Sequence, residues 1–136
     1  MANFVGKFVY EKSQGLEDYV GKIAGPAGAE AAKKFRQNKP YFEVTVSDDC
    51  YTFTLYNGEQ VIANSFYLKK EFNEKTFFSS PLKTICNKYD NIFTFVSKLS
   101  NGNTATREYK FIPEGCECNF SEQQFGVKST LTFKRS

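Results

Sequence analysis

From Pro40 to the C-terminus the chain holds to one period. Its residues alternate in character every second position, and each short run ends in a turn signal. "YFEVTVS" puts Phe42, Val44 and Val46 on one face, and "CYTFTLY" does the same with Tyr51, Phe53 and Leu55. The runs "QVIANSFYL", "PLKTICNK", "NIFTFVSKL", "NTATREYKF", "CECNF" and "GVKSTLTFK" follow. Between the runs lie "SDD", "YNGE", "FFSS", "KYDN", "SNGN", "PEG" and "SEQQ", rich in the residues that turns require. A strand points successive side chains to opposite faces. The last run therefore has Val127, Ser129, Leu131 and Phe133 on one side and Lys128, Thr130, Thr132 and Lys134 on the other. Many short strands joined by tight turns predict an antiparallel meander.

The first forty residues differ. "FVGKFVYEK" is strand-like, with Phe8 and Tyr10 set against Lys7 and Glu11. Ser13 offers an N-cap, and Glu17 and Asp18 fall in the first turn, where the helix dipole favours acids. Leu16, Tyr19, Val20 and Ile23 follow the i, i+3, i+4, i+7 spacing of a short amphipathic helix. Gly25-Pro26 breaks it, and Pro26 suits the first position of a second helix. That helix puts Ala27, Ala31 and Phe35 on one face and ends near Lys33, Lys34 and Arg36.

No linker or composition break divides the 136 residues, so one domain over 1–136 is expected. Exposed sheet edges are hazardous, and closing the sheet removes them. The first strand is expected to return and pair with the last. About eight strands suffice for a barrel holding one small ligand, and roughly nine or ten are counted here. The helical hairpin is then a plug for the open end.

The composition narrows the function. Histidine is absent, which excludes Ser-His and Cys-His hydrolase arrangements. No phosphate-binding glycine loop occurs. The net charge of +3 and the short basic cluster "KKFRQNK" speak against nucleic acid as a partner. Cys50, Cys86, Cys116 and Cys118 form no C-x-x-C pair, so packed reduced thiols are expected, with no metal and no cofactor. The first residues show no apolar signal region, and no run reaches membrane-spanning length. A cytoplasmic protein is the expectation. Phenylalanine and tyrosine abound, which means an aromatic core or an aromatic-lined cavity.

"FVGKFVYEKSQGLEDYVGKIAG" resembles the opening strand and first lid helix of the intracellular lipid-binding proteins, the cytosolic fatty-acid-binding and retinoid-binding proteins. "NKPYFEVTV", "SFYLKKEFNEKT" with its E-x-T, "LKT" and "TREYKF" resemble that family in order and spacing across essentially the whole chain. The resemblance implies an all-β fold, a flattened ten-stranded up-and-down barrel capped by a helix-turn-helix. It implies a monomeric carrier, not an enzyme, with one hydrophobic ligand inside, usually a fatty acid. In many members the ligand carboxylate meets an arginine on a late strand and an arginine–x–tyrosine pair on the final strand. The first matches Arg107. Parity agrees, because Ala105, Arg107, Tyr109 and Phe111 share a face and the opposite face is wholly polar. The final pair is replaced by Leu131 and Phe133, which removes hydrogen-bond donors. Neutral or bulky ligands such as retinoids, pigments or sterol-like lipids then gain ground over a fatty acid.

The other expected cavity residues are Leu16, Tyr19, Val20 and Phe35 from the lid and Phe42, Phe53, Phe93, Phe95 and Tyr109 from the walls, with Phe78 at the portal. Tyr109 or an ordered water is expected to satisfy Arg107 when no ligand is bound. The basic end of the second helix suggests transient contact of the lid with anionic membranes.

Overall fold

The computed structural model describes residues 4–76, 81–99, 102–122 and 126–136. Its strands are β1 (Gly6–Gln14), β2 (Tyr41–Ser47), β3 (Cys50–Asn57), β4 (Gln60–Tyr67), β5 (Glu71–Glu74), β6 (Leu82–Tyr89), β7 (Ile92–Lys98), β8 (Thr104–Ile112), β9 (Gly115–Glu122) and β10 (Lys128–Arg135). One helical segment, α1 (Leu16–Gln37), lies between β1 and β2. The strands form one antiparallel sheet in the order β4-β3-β2-β1-β10-β9-β8-β7-β6-β5. β1 pairs with both β2 and β10, so the two ends of the chain's strand sequence meet in the middle of the sheet. The β1–β10 register shifts between Tyr10 and Lys12. Such a bulge bends a strand and sharpens its twist, as a barrel wall needs.

The sheet does not close by hydrogen bonds. β4 and β5 are its two ends, and no ladder joins them among the described residues. Side chains bridge them instead. The Asn64 amide donates to the Lys75 carbonyl (3.0 Å), and its oxygen accepts the Lys75 N–H (2.8 Å), in place of a backbone pair. Alongside, the rings of Phe66 and Phe72 stack at 4.9 Å. β5 is the strand that alternation did not reveal, because four residues are too few to display a period.

α1 is two helical stretches in one. Gly25, with φ 78° and ψ −174°, leaves helical geometry, and Pro26 follows it. The first stretch buries Leu16, Tyr19 and Val20, as its spacing predicts. The second buries Gly28, Ala32 and Phe35, whereas Ala27 is exposed. Its inward face is therefore one residue out of phase with the Ala27–Ala31–Phe35 expectation. The N-cap is also displaced. Gly15 caps in a left-handed conformation without a side-chain bond, and the Ser13 hydroxyl pairs with the Tyr10 hydroxyl at 2.6 Å. Glu17 and Arg36 form a paired hydrogen bond across the two stretches at 3.0 and 3.1 Å, which ties the hairpin together.

The interior is aromatic. Phe8, Phe66, Phe93 and Phe111 are fully buried. Phe4 packs edge-on against Phe93 (5.1 Å), and Phe93 against Phe111 (5.5 Å) and Tyr51 (5.5 Å). Offset and edge-on rings add to the roughly 1.5–3 kcal/mol that burying each such side chain contributes.

Gly115 begins β9 where β10 passes close by. A Cβ at this position would collide with the Phe133 carbonyl. Gly115→Ala is expected to destabilise the fold by about 1–3 kcal/mol. A urea midpoint unchanged from the native protein would show that the two strands have room to part.

Candidate functional site

Between the aromatic end and α1 the barrel holds a cavity of about 650 Å³, within the roughly 300–1,000 Å³ range of small-molecule sites. Every described candidate from the sequence except one lines it. Leu16, Tyr19, Val20 and Phe35 come from α1, and Phe42 and Phe53 from β2 and β3. Phe95, Arg107 and Tyr109 come from β7 and β8, and Leu131 and Phe133 from β10. The exception is Phe93. It shares a face with Phe95 but sits two residues deeper, in the solid aromatic packing, and is a core residue. Alternation tells which face a residue is on, not how deep along the barrel it lies. Phe78 falls outside the described residues.

The main partner of Arg107 is Glu74, where the sequence suggests Tyr109 or an ordered water. Alternation along the chain does not single Glu74 out. Arg107 Nη1 donates to Glu74 Oε2 at 2.8 Å, and Nη2 donates to Oε1. Nη2 also donates to the Ser97 hydroxyl at 3.2 Å. Thr84 donates to Glu74 Oε1 at 2.9 Å, which uses its one proton. The 2.7 Å bond between Ser97 and Thr84 must then run from Ser97 to Thr84. The four groups close a ring: Arg107 donates to Ser97, Ser97 to Thr84 and Thr84 to Glu74, and Glu74 accepts directly from Arg107. Low-dielectric surroundings strengthen such a chain, and each member polarises the next. The side chains of Arg107 and Glu74 keep 16% and 10% of their surface, facing the cavity they line. The guanidinium also lies over the Phe95 ring at 5.2 Å.

The signal for Glu74 was present but faint. In "EFNEKT", Phe72 and Glu74 share a parity, and a carboxylate on the apolar side of a strand calls for a partner. That partner is 33 positions away. Glu74 is also the acid of the E-x-T in this stretch.

Burial opposes the charge on Arg107, but Glu74 and the neighbouring phenols outweigh it and hold the guanidinium pKa above its ordinary value. Burial pushes the Tyr109 phenol well above its usual range, so it stays protonated. Burial also raises Tyr19 and Cys86, each to about 12. Cys116 and Cys118 lie on the inner face of β9 with sulfurs 3.8 Å apart, and all four cysteines are free. Burial, then the Cys116 sulfur, drives the Cys118 thiol well above the ordinary range. Among the described residues no group of acids, thiols or imidazoles is placed to hold a metal.

No family model and no curated protein matches the chain by sequence. Solved structures do. A Schistosoma mansoni fatty-acid-binding protein in complex with arachidonic acid aligns over 100% of this chain and 98% of its own, with a TM-score of 0.88 and 18% identity. A fatty-acid-binding protein from brain tissue of Drosophila melanogaster aligns over 96% and 98%, with a TM-score of 0.83 and 26% identity. The fluorescent protein UnaG aligns over 98% and 97%, with a TM-score of 0.82 and 20% identity. The fold is that of the intracellular lipid-binding proteins.

Two outcomes follow from the site. Arg107→Leu leaves Glu74 buried without its counter-charge and is expected to cost about 3–5 kcal/mol in urea unfolding. The double change Glu74→Leu with Arg107→Met should recover most of that loss, and a double variant as unstable as the single would contradict the pairing. Alkali gives the second. Folded pKa values above the unfolded ones, about 8.5 for a thiol and 10 for a phenol, mean that the stabilisation from Cys86 and Tyr19 is complete below the unfolded pKa. It is lost as pH rises through the folded one. The urea midpoint should therefore fall between about pH 9 and pH 12, and a midpoint flat across that window would show that these groups ionise freely.

Proposed function

We propose that this protein is a lipid carrier of the intracellular lipid-binding kind, which holds one long-chain fatty acid or similar hydrophobic ligand inside the barrel to solubilise and transport it. The observation that carries this reading is the cavity of about 650 Å³, walled by Phe42, Phe53, Phe95, Leu131 and Phe133 and roofed by Leu16, Val20 and Phe35. The fold supports it, since the neighbours with this barrel include fatty-acid-binding proteins, one of them holding arachidonic acid. The mechanism is burial. Each methylene taken from water contributes about 0.8 kcal/mol, so a sixteen-carbon tail supplies on the order of 10 kcal/mol before the costs of association.

A second reading is a carrier of a neutral or bulky apolar ligand, such as a retinoid, a pigment or a sterol-like lipid. Leu131 and Phe133 favour it, because they line the cavity with hydrocarbon and ring edges at positions where the resemblance implies an anion clamp. Phe133 instead packs edge-on against Phe42 at 4.8 Å. An enzyme on the same barrel is the remote alternative, and loss of turnover on Arg107→Leu would be its mark. Under the carrier reading residues 1–136 act as one lipid-binding domain, a cytoplasmic monomer. The lid then exchanges ligand with anionic membranes through Lys33 and Lys34, since Arg36 is engaged by Glu17.

Native mass spectrometry of protein from its own source should show one lipid per chain. A fluorescent fatty-acid probe should titrate to one equivalent and be displaced by long-chain lipids. No bound lipid, together with a probe that no lipid displaces, would sink the reading.

A further inference from the structure

We infer that Glu74 selects the head group in this cavity, and that the ligand it admits carries a neutral oxygen, as in an alcohol or an ester, in place of a carboxylate. The inference rests on the carrier reading and deepens it.

Arg107 has few donors left to give. A guanidinium has five N–H donors. One on Nη1 and one on Nη2 go to Glu74, and the second on Nη2 goes to Ser97. The remaining Nε–H and Nη1–H carry no charge that needs balancing, because Glu74 already supplies the anion. The protein thus places its own carboxylate where a ligand's would bind. Glu74 is held there by Thr84 as well, and that threonine is fully buried.

A ligand carboxylate has two ways to reach Arg107, and both are costly. It can share the guanidinium with Glu74, which sets two anions around one cation in a water-poor cavity. Or it can displace Glu74, which opens the four-membered ring and strands a buried carboxylate. A neutral oxygen meets neither cost. It accepts a hydrogen bond and adds no charge. Tyr109 complements it: the phenol lines the cavity, makes no hydrogen bond among the described residues, and stays protonated. Its ring is fixed by Phe95 at 5.3 Å and Phe42 at 5.9 Å, next to the guanidinium. On the final strand, Leu131 and Phe133 add no donor.

The test is displacement of a cavity-bound fluorescent probe by oleate, methyl oleate and oleyl alcohol at neutral pH, in the native protein and in Glu74→Gln. Glutamine keeps the shape and removes the charge, so Arg107 becomes an uncompensated cation. The native protein should bind the ester and the alcohol at least as well as oleate. In E74Q the affinity for oleate should rise by about tenfold or more, as expected for one charge-assisted hydrogen-bond pair, while the neutral lipids change by less than about threefold. A native preference for oleate of about tenfold, or an oleate-to-ester ratio unchanged by E74Q, would overturn the inference while leaving the carrier reading intact. Displacement by none of the three in either protein would remove both. Glu74→Gln with Arg107→Gln covers the case in which E74Q is too unstable to titrate. That pair should bind oleate no worse than the native protein, and a fall of about tenfold would mean that Arg107 had been gripping a carboxylate all along.

Discussion

Pairing of β1 with β10 makes this chain a container. A meander of ten strands is otherwise a ribbon with two long edges, and its apolar face has nothing to pack against. Setting the first strand beside the last puts the hydrogen-bonded seam in the middle of the sheet and moves the free ends to β4 and β5. Among the described residues those ends meet through the Asn64 amide and the Phe66–Phe72 stack. The wall is therefore rigid at the seam and held by side chains at the gap. The position of α1 follows from the same pairing. It leaves β1 through Gly15, lies over β1, β9 and β10, and brings Leu16, Tyr19 and Val20 down onto the opening.

The interior divides into two parts along the barrel. At one end Phe4, Phe8, Phe93 and Phe111 interlock edge to face and leave no room. At the other the rings stand back. Phe42 and Phe53 belong to both parts: they pack with Phe111 (6.3 Å each) and also line the cavity. A protein interior packs like a crystal of small molecules wherever it can. A space of this size beside so dense a core is thus kept open by the barrel's circumference, with ten strands holding the walls further apart than the side chains can reach.

Much of this was legible in sequence because it is local. Period two shows up in five or more residues, and β8 could be phased because its outer face, Thr106, Glu108 and Lys110, is unmistakably polar. What stayed hidden was non-local or low in contrast. β5 has too few residues to show a period. The second half of α1 is alanine-rich on every side, so Ala27–Ala31 and Gly28–Ala32 look equally good until packing chooses. Phe93 and Phe95 have the same parity, and only the depth of the core separates them. The Glu74–Arg107 pair joins strands that are distant in sequence, and no pattern along the chain relates the two.

That pair bears most directly on function. A buried ion pair roughly breaks even against apolar residues of the same shape, so stability alone gives little reason to keep one. Arg107 in a cavity poses a problem that Glu74 removes, because without ligand the guanidinium would face apolar walls unpaired. A site with a free arginine can be neutralised only by the cargo, and its empty state is then the strained one. Here the empty state is already satisfied, with Ser97 and Thr84 completing the circuit. The consequence is a shift in where affinity comes from. Under the proposed carrier reading little electrostatic gain would remain for a head group, so binding would rest on the apolar contacts of the tail, and head-group choice would turn on avoiding a second negative charge.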